Sequence, residues 1–158
     1  MQEMDWTAVS QIYAEGLATG EASFETAVPD WNTWNQNHLQ ACRLVARSVN
    51  DVVVGWAALT AVSKRPVYEG VAEVSVYVAA KARGQGVGKQ LLQTLLTCSE
   101  AADIWTLQVG IFPENEASVT LHQRCGFRIV GRRERLAQQN GRWRDVLLLE
   151  RRSQTGGV

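Results

Sequence analysis

The segment Arg83-Gly84-Gln85-Gly86-Val87-Gly88-Lys89 combines three alternate glycines with two flanking cations. It follows an alternating, valine-rich run and opens a stretch carrying Leu91, Leu92, Leu95 and Leu96, so the spacing predicts a strand, a glycine turn and a helix start in succession. That combination binds anions. The first helical amides lack internal partners and lie at the positive end of the helix dipole, and glycine lets the backbone approach phosphate oxygens at positive φ. The spacing excludes two common ligand classes. A nucleotide-hydrolysing loop needs glycine, four residues and then Gly-Lys-Ser/Thr; here the first position holds Arg83 and the last Gln90. A dinucleotide fingerprint needs Gly-x-Gly-x-x-Gly near the first strand of a parallel unit, whereas Gly84, Gly86 and Gly88 are spaced by two and follow a late strand. A glycine turn that binds nothing is the alternative, set against the conformational cost of three alternate glycines.

Positioning such a loop takes a sheet and helices, and the rest of the chain supplies them. Val9, Ile12, Tyr13, Gly16 and Leu17 recur at helical spacing. Ser23 to Thr26 is a loop, and Asp30 is the predicted N-cap of a second helix with Trp31, Trp34 and His38 along one side. Strands are predicted over Arg43 to Arg47 and Val52 to Ala61, joined at Asn50-Asp51, and again over Val71 to Ala79. In the last of these, Val74, Val76 and Val78 share one face and Glu73, Ser75 and Tyr77 the other. After the loop and its helix come a strand over Trp105 to Phe112, a short helix over Asn115 to Arg124, and two strands flanking Gln139-Asn140-Gly141, where Asn-Gly is a hairpin signal. The order describes one mixed α/β domain over residues 1–152, with a polar, glycine-rich tail over 153–158 expected to be disordered.

Read as Arg/Gln-x-x-Gly-x-Gly at Arg83, Gly86 and Gly88, the loop resembles the acetyl-CoA signature of the GNAT acetyltransferase superfamily. Asn115-x-x-Ser118-x-x-Leu121-His122-x-x-Cys125-Gly126-Phe127 is similar to the second cofactor motif of that superfamily. Histidine at position 122, where most members carry tyrosine, resembles the phosphinothricin and methionine sulfoximine N-acetyltransferases. So do Ser23-Phe24-Glu25, the run from Arg65 and Tyr68 to Glu73-x-Ser75-Val76-Tyr77-Val78, and Trp143-x-Asp145-Val146. The likeness spans about Met4 to Glu150. It implies the GNAT acyl-CoA N-acyltransferase fold, α/β (α+β mixed), with a central, mostly antiparallel, twisted sheet flanked by helices. That family begins with a strand of roughly ten residues, an ordinary strand length; this chain starts almost at the helix, so the first edge strand is expected to be short or missing. Val71 stands where the subfamily commonly has threonine, which leaves the acceptor less defined than the chemistry.

The resemblance implies acetyl-CoA as co-substrate, a small amino-acid-like amine as acceptor, direct transfer in a ternary complex, a homodimer, and no metal. It assigns the co-substrate to Val76, Tyr77, Val78, Arg83, Gly84, Gln85, Gly86, Val87, Gly88, Lys89, Asn115, Ser118 and Arg124, with Asn115 and its helix against the pantetheine arm. Glu73, on the strand beside the loop, is the candidate base for an amine whose pKa is about 8; its alternative role is a structural carboxylate. Backbone amides of Val76 or Val78 would stabilise the thioester oxygen if the strand splays open there. His122 would protonate or hydrogen-bond the leaving sulfur, and the alternative is a satisfied core histidine. Arg65 is the candidate to grip a substrate carboxylate, since guanidinium matches it in bidentate geometry, or else a solvated loop arginine. Phe24, Glu25 and Tyr77 would shape the acceptor pocket. Cys125 has no base beside it in the motif and is a small buried residue rather than a nucleophile.

Composition bounds these readings. The chain has 158 residues with sixteen basic and sixteen acidic side chains, so no global field draws it to nucleic acid or an anionic membrane. No run approaches the roughly 20 apolar residues of a membrane span, and the first residues lack a signal-peptide pattern. Three widely spaced cysteines give neither metal-ligand spacing nor a disulfide framework, and a cytoplasmic location is the default. Two other functions stay open: acetylation of protein N-termini or lysines, and a catalytically silent acyl-CoA-binding module.

Overall fold

Val9, Ile12 and Gly16 form the buried stripe of α1 (Trp6–Ala18), which a single turn of 3-10 helix at Glu3–Asp5 introduces. The structure, a computed structural model, describes residues 1–157. Asp30 caps α2 (Trp31–Asn37) as predicted, its Oδ1 accepting from Thr33 N at 2.8 Å. Helix α2 ends one residue before His38, which is already extended. Strands β1 (Leu44–Arg47) and β2 (Val53–Ala61) form a hairpin through Asn50 and Asp51, the latter at φ +61°. Strand β3 (Val71–Val78) leads through a short 3-10 turn into the glycine segment and α3 (Val87–Ala101). Then follow β4 (Thr106–Ile111), α4 (Glu116–Arg124), and the long hairpin of β5 (Arg128–Gln139) and β6 (Arg142–Arg152), closed by Asn140 and Gly141 both at positive φ.

The six strands form one sheet in the order β1-β2-β3-β4-β6-β5, and every neighbouring pair is antiparallel except β3 with β4. This is the mixed, mostly antiparallel α/β architecture expected, and among the described residues no strand precedes α1. Period-2 alternation splits β2 between two cores. Ala57 and Leu59 pack on the Leu91, Leu92 and Leu95 face of α3, while Val54, Trp56 and Ala58 pack against Val9, Ile12 and Trp34 of α1 and α2. No helix of the described residues is long and apolar enough to cross a membrane.

Two details of β3 position everything that follows. Ala79 N donates to Val54 O at 2.8 Å and Val62 N to Val71 O at 3.4 Å, which sets the parity of the β2–β3 ladder. Antiparallel bonds alternate, so Val74, Val76 and Val78 turn their amides away from β2, toward β4. Yet the parallel β3–β4 pairing covers only Val71 opposite Thr106 through Glu73 opposite Gln108. Past that rung the strands part, as the expected splay requires.

Side-chain hydrogen bonds reach into the C-terminal segment as far as Gly157. Ser153 is buried, donates to Glu100 Oε1 at 3.2 Å, and accepts from the amides of Thr155 and Gly156 at 3.2 and 2.9 Å. Arg152 donates to the carbonyls of Gly156 and Gly157 at 2.7 Å each. These bonds satisfy backbone groups that a loose tail would leave to water, and they hold the chain as far as Gly157; Val158 lies outside the described residues.

Candidate active site

The gap between β3 and β4 opens into a cavity of about 1240 Å³. Its walls come from both faces of the sheet: Tyr13 and Trp34 from α1 and α2, Val87 and His122 from α3 and α4, and the loop Glu21 to Glu25. Of the sequence-predicted residues, Phe24, Glu25, Glu73, Val76, Tyr77, Val78, Arg83, Gly84, Gly86, Val87, Gly88, Lys89, Asn115, Ser118 and His122 line it. Arg124 lies in an adjoining depression of about 460 Å³ with Gly84, Gly86, Lys89 and Thr120. Gln85 lines neither, and its side-chain amide folds back onto Lys81 O at 3.2 Å.

The glycine segment has the geometry of an anion cradle. Gly84 and Gly86 sit at φ +75° and +83°, and a Cβ built on either meets nothing within 4 Å. Gly86 is the residue before α3, and the first helical bond runs from Gln90 N to Gly86 O at 3.1 Å. The amides of Val87, Gly88 and Lys89 therefore have no helical acceptor and face open space at the positive end of the dipole. Gly88 serves packing instead, since its Cβ would lie 3.2 Å from Leu121 Cδ2 on α4. Arg83 and Lys89 are exposed beside the cradle, with Arg83 Nε donating to Val78 O at 3.3 Å.

Both histidines of the chain line this cavity, and both are held the same way. His122 Nδ1 donates to Ser118 O and His38 Nδ1 to Trp34 O, each at 2.8 Å and each one helical turn back. A neutral imidazole carries one proton, so these bonds leave Nε2 as a lone pair. Burial pushes both rings below their ordinary pKa, which keeps them neutral. His122 is buried edge-on against Phe127, and its Nε2 is a buried nitrogen with no partner. In this state Nε2 accepts rather than donates. A neutral ring held this way can accept from a thiol S–H but cannot donate to a leaving thiolate; donating to or protonating the sulfur needs the imidazolium, which burial disfavours.

Glu73 is exposed at the edge of the cavity, where Gln108 Nε2 donates to Glu73 Oε2 at 3.4 Å. Thr60 stands opposite it on β2 and also lines the wall. Tyr77 is stacked on Trp56 with ring centroids 4.9 Å apart, and it packs on Tyr13 at 4.8 Å. Burial first, and then Tyr13, holds its phenol well above the usual range, so the hydroxyl keeps its proton. Phe24 closes one side, edge-on to Phe112 at 4.9 Å. Asn115 caps α4, its Oδ1 accepting from Ser118 N at 3.3 Å, and its Nδ2 donates to Glu21 O at 3.2 Å.

Arg65, like Gln85, is not brought here by the fold. It sits exposed in the β2–β3 connection, outside the cavity, with its guanidinium over the Tyr68 ring at 5.6 Å. The carboxylate clamp expected of it is not assembled within this chain, because the connection turns outward at Pro66–Tyr68. Arg133 of β5 lines the cavity instead, with no acidic group within ion-pair distance among the described residues. Its local sequence, Arg132-Arg133-Glu134-Arg135, holds no signal separating it from its neighbours. Cys125 is buried, its thiol pushed up by burial, as a residue of the core.

The family model described as "Acetyltransferase (GNAT) family" matches residues 6–127. The chain is 34% identical over 157 residues to phosphinothricin N-acetyltransferase of Alcaligenes faecalis, covering 96% of this chain and 79% of the relative. A phosphinothricin acetyltransferase of Sinorhizobium meliloti, solved in complex with acetyl-CoA, superposes with a TM-score of 0.88 at 27% identity, over 99% of this chain and 88% of that one. A ribosomal-protein-alanine N-acetyltransferase of Brucella melitensis gives a TM-score of 0.89 at 30% identity, over 97% of each chain.

Proposed function

The chain belongs to the GNAT family of acetyltransferases and is an N-acetyltransferase, and from that premise we propose that it acetylates the α-amino group of a small amino-acid-like compound with acetyl-CoA. Phosphinothricin, methionine sulfoximine, methionine sulfone and related amino acids form the acceptor class. The observation that carries the proposal is the early end of the β3–β4 pairing, which leaves two β3 amides bare between an anion cradle and a walled acceptor end. The co-substrate supplies an activated acetyl group and a thiolate leaving group.

The residues fit such a molecule. The open space over Gly84 and Gly86, beside unpartnered helix amides, suits a pyrophosphate, and Arg83, Lys89 and Arg124 add positive charge around it. The amides of Val76 and Val78 face the gap and stabilise oxygen as it gains charge. Glu73 takes one proton from the acceptor ammonium, directly or through water, and frees the lone pair that attacks. The second amine proton passes to the departing sulfur as the C–S bond breaks, and the neutral His122 ring accepts a hydrogen bond at Nε2 from the thiol so formed. Arg133 faces the acceptor carboxylate or phosphinate, the role first expected of Arg65. Phe24 and Tyr77 limit the acceptor's width.

Thiol release from acetyl-CoA tests this with phosphinothricin, methionine sulfoximine, methionine sulfone, ordinary amino acids, polyamines and peptides. Turnover with the small amino-acid analogues is expected. A signal from peptides alone overturns the acceptor class, and acetyl-CoA binding without any turnover overturns the enzyme reading.

A further inference from the structure

Arg144, the third residue of β6, is 5% exposed, and its neighbour on the same face is the buried Val146. An apolar side chain would fill that place without the desolvation a buried guanidinium demands. The guanidinium stacks over the Phe112 ring at 3.9 Å and makes four polar contacts. Nη1 donates to Gly20 O at 3.1 Å and to Gln139 Oε1 at 2.5 Å, and Nη2 donates to Glu21 Oε2 at 2.8 Å and Glu114 Oε2 at 3.4 Å. Nε is buried without a partner.

Every one of these partners belongs to, or reaches, a wall of the cavity. Glu21 lines it, and Gly20 precedes it in the same loop. Gln139 passes the tether on, its Nε2 donating to Ser23 O at 3.0 Å. Phe112 carries the edge of Phe24. Glu114 precedes Asn115, whose Nδ2 holds Glu21 O at 3.2 Å while its Oδ1 caps α4. The loop from Gly20 to Phe24 has no regular secondary structure to order it. Beyond the local bonds of Gly20 N to Leu17 O and Glu21 N to Thr19 Oγ1, three of the four side-chain hydrogen bonds donated to it from β5, β6 and the α4 cap come from Arg144 or from Gln139, which Arg144 itself holds.

We infer that Arg144 is a positioning residue that sets the acceptor specificity of this enzyme: it clamps the loop from Gly20 to Phe24 in place and ties it, through Glu21, to the Asn115 cap at the co-substrate end. The inference rests on the acceptor site described under the proposed function. A lysine at 144 keeps the charge but loses the planar fork that reaches four acceptors from one place.

The test uses the full chain with Arg144→Met, Arg144→Lys and, as a variant outside the core, Glu21→Gln. Steady-state kinetics are run with the best acceptor of the panel, and hydrogen exchange is followed over residues 19–25 and over β3 and β4. For Arg144→Met, acceptor kcat/KM is expected to fall about tenfold or more, chiefly through KM, while KM for acetyl-CoA stays within about twofold. Arg144→Lys restores part of the loss, and Glu21→Gln reproduces part of it. Exchange over 19–25 speeds up while β3 and β4 keep their protection. Unchanged loop exchange overturns the inference, as does exchange raised equally throughout the sheet or a loosened loop with unaltered acceptor kinetics. Should no acceptor be turned over, the acceptor reading fails by itself, and loop exchange alone decides whether Arg144 positions this segment.

Discussion

Glu73 and Gln108 stand opposite one another on the last rung joining β3 to β4, with Gln108 Nε2 donating to Glu73 Oε2 at 3.4 Å. One step further along, the sheet is open. The carboxylate is thus fixed at the point where backbone pairing gives way to the cavity. Glu73→Gln is expected to lower kcat by roughly 10²- to 10⁴-fold, the range of a general base. Acetyl-CoA affinity by calorimetry should be unchanged. A Kd that weakens in step with kcat would mark Glu73 as part of the framework rather than the chemistry.

Gly86 provides a test of the cradle that separates strain from charge. At φ +83° any L side chain is strained, so Gly86→Ala should cost about 1–2 kcal/mol and leave weakened acetyl-CoA binding. Gly86→Asp adds a carboxylate in the open space beside the helix amides and should abolish binding. Calorimetric titration of both variants reads the difference, and equal affinity for acetyl-CoA in wild type and Gly86→Asp would remove the loop from the site.

The two histidines predict a pH response. Burial lowers both folded pKa values beneath the unfolded value of about 6.5. The unfolded chain therefore binds protons first as pH falls. The associated stability is complete above about pH 6.5 and is lost as pH drops from there toward the folded values. Melting temperature should fall between pH 7 and pH 5, and His122→Phe should flatten part of that slope. NMR titration of ring protons should place both midpoints below about 6.5. His122→Phe should also lower turnover more than acetyl-CoA affinity; equal activity would return His122 to the core.

Gly16 of α1 lies against Tyr77 so closely that a Cβ there would be 2.5 Å from the ring. Tyr77 has little room to retreat, being stacked on Trp56 and packed on Tyr13. Gly16→Ala should destabilise the protein by about 1–3 kcal/mol, the cost of overpacking. Thermal unfolding measures this, and acceptor KM should shift with it because Tyr77 lines the cavity.

What the sequence disclosed was local. The glycine segment, the Asp30 cap, the Asn140-Gly141 turn and the alternation of β3 are patterns within a few residues of one another, and each appears where the spacing predicted. The splay was expected only conditionally, because the length of the β3–β4 ladder depends on residues some 35 positions apart. Arg144 gave no local signal, since its partners Gly20 and Glu21 are 124 and 123 residues away. That Arg65 lies outside the cavity while Arg133 lines it was hidden for a related reason. An arginine's type states what it can bind, but the turn at Pro66–Tyr68 and the register of β5 decide whether it faces the cavity. The tail's contacts were not legible in its composition, since Ser153 reaches Glu100 some 53 residues away and Arg152 folds back onto Gly156 and Gly157.

The parting of β3 from β4 also defines how the protein could be blocked. One continuous passage runs from the cradle at Gly86 on the α3 side to Trp34 and Tyr13 on the α1 and α2 side. A bivalent compound, with a phosphorylated half and an amine-derived half joined through the gap, would make its second contact intramolecularly, at an effective concentration on the order of millimolar for a short linker. Such a molecule would hold on where either half alone lets go, and its optimal linker length would gauge the distance between the two ends of the passage in solution.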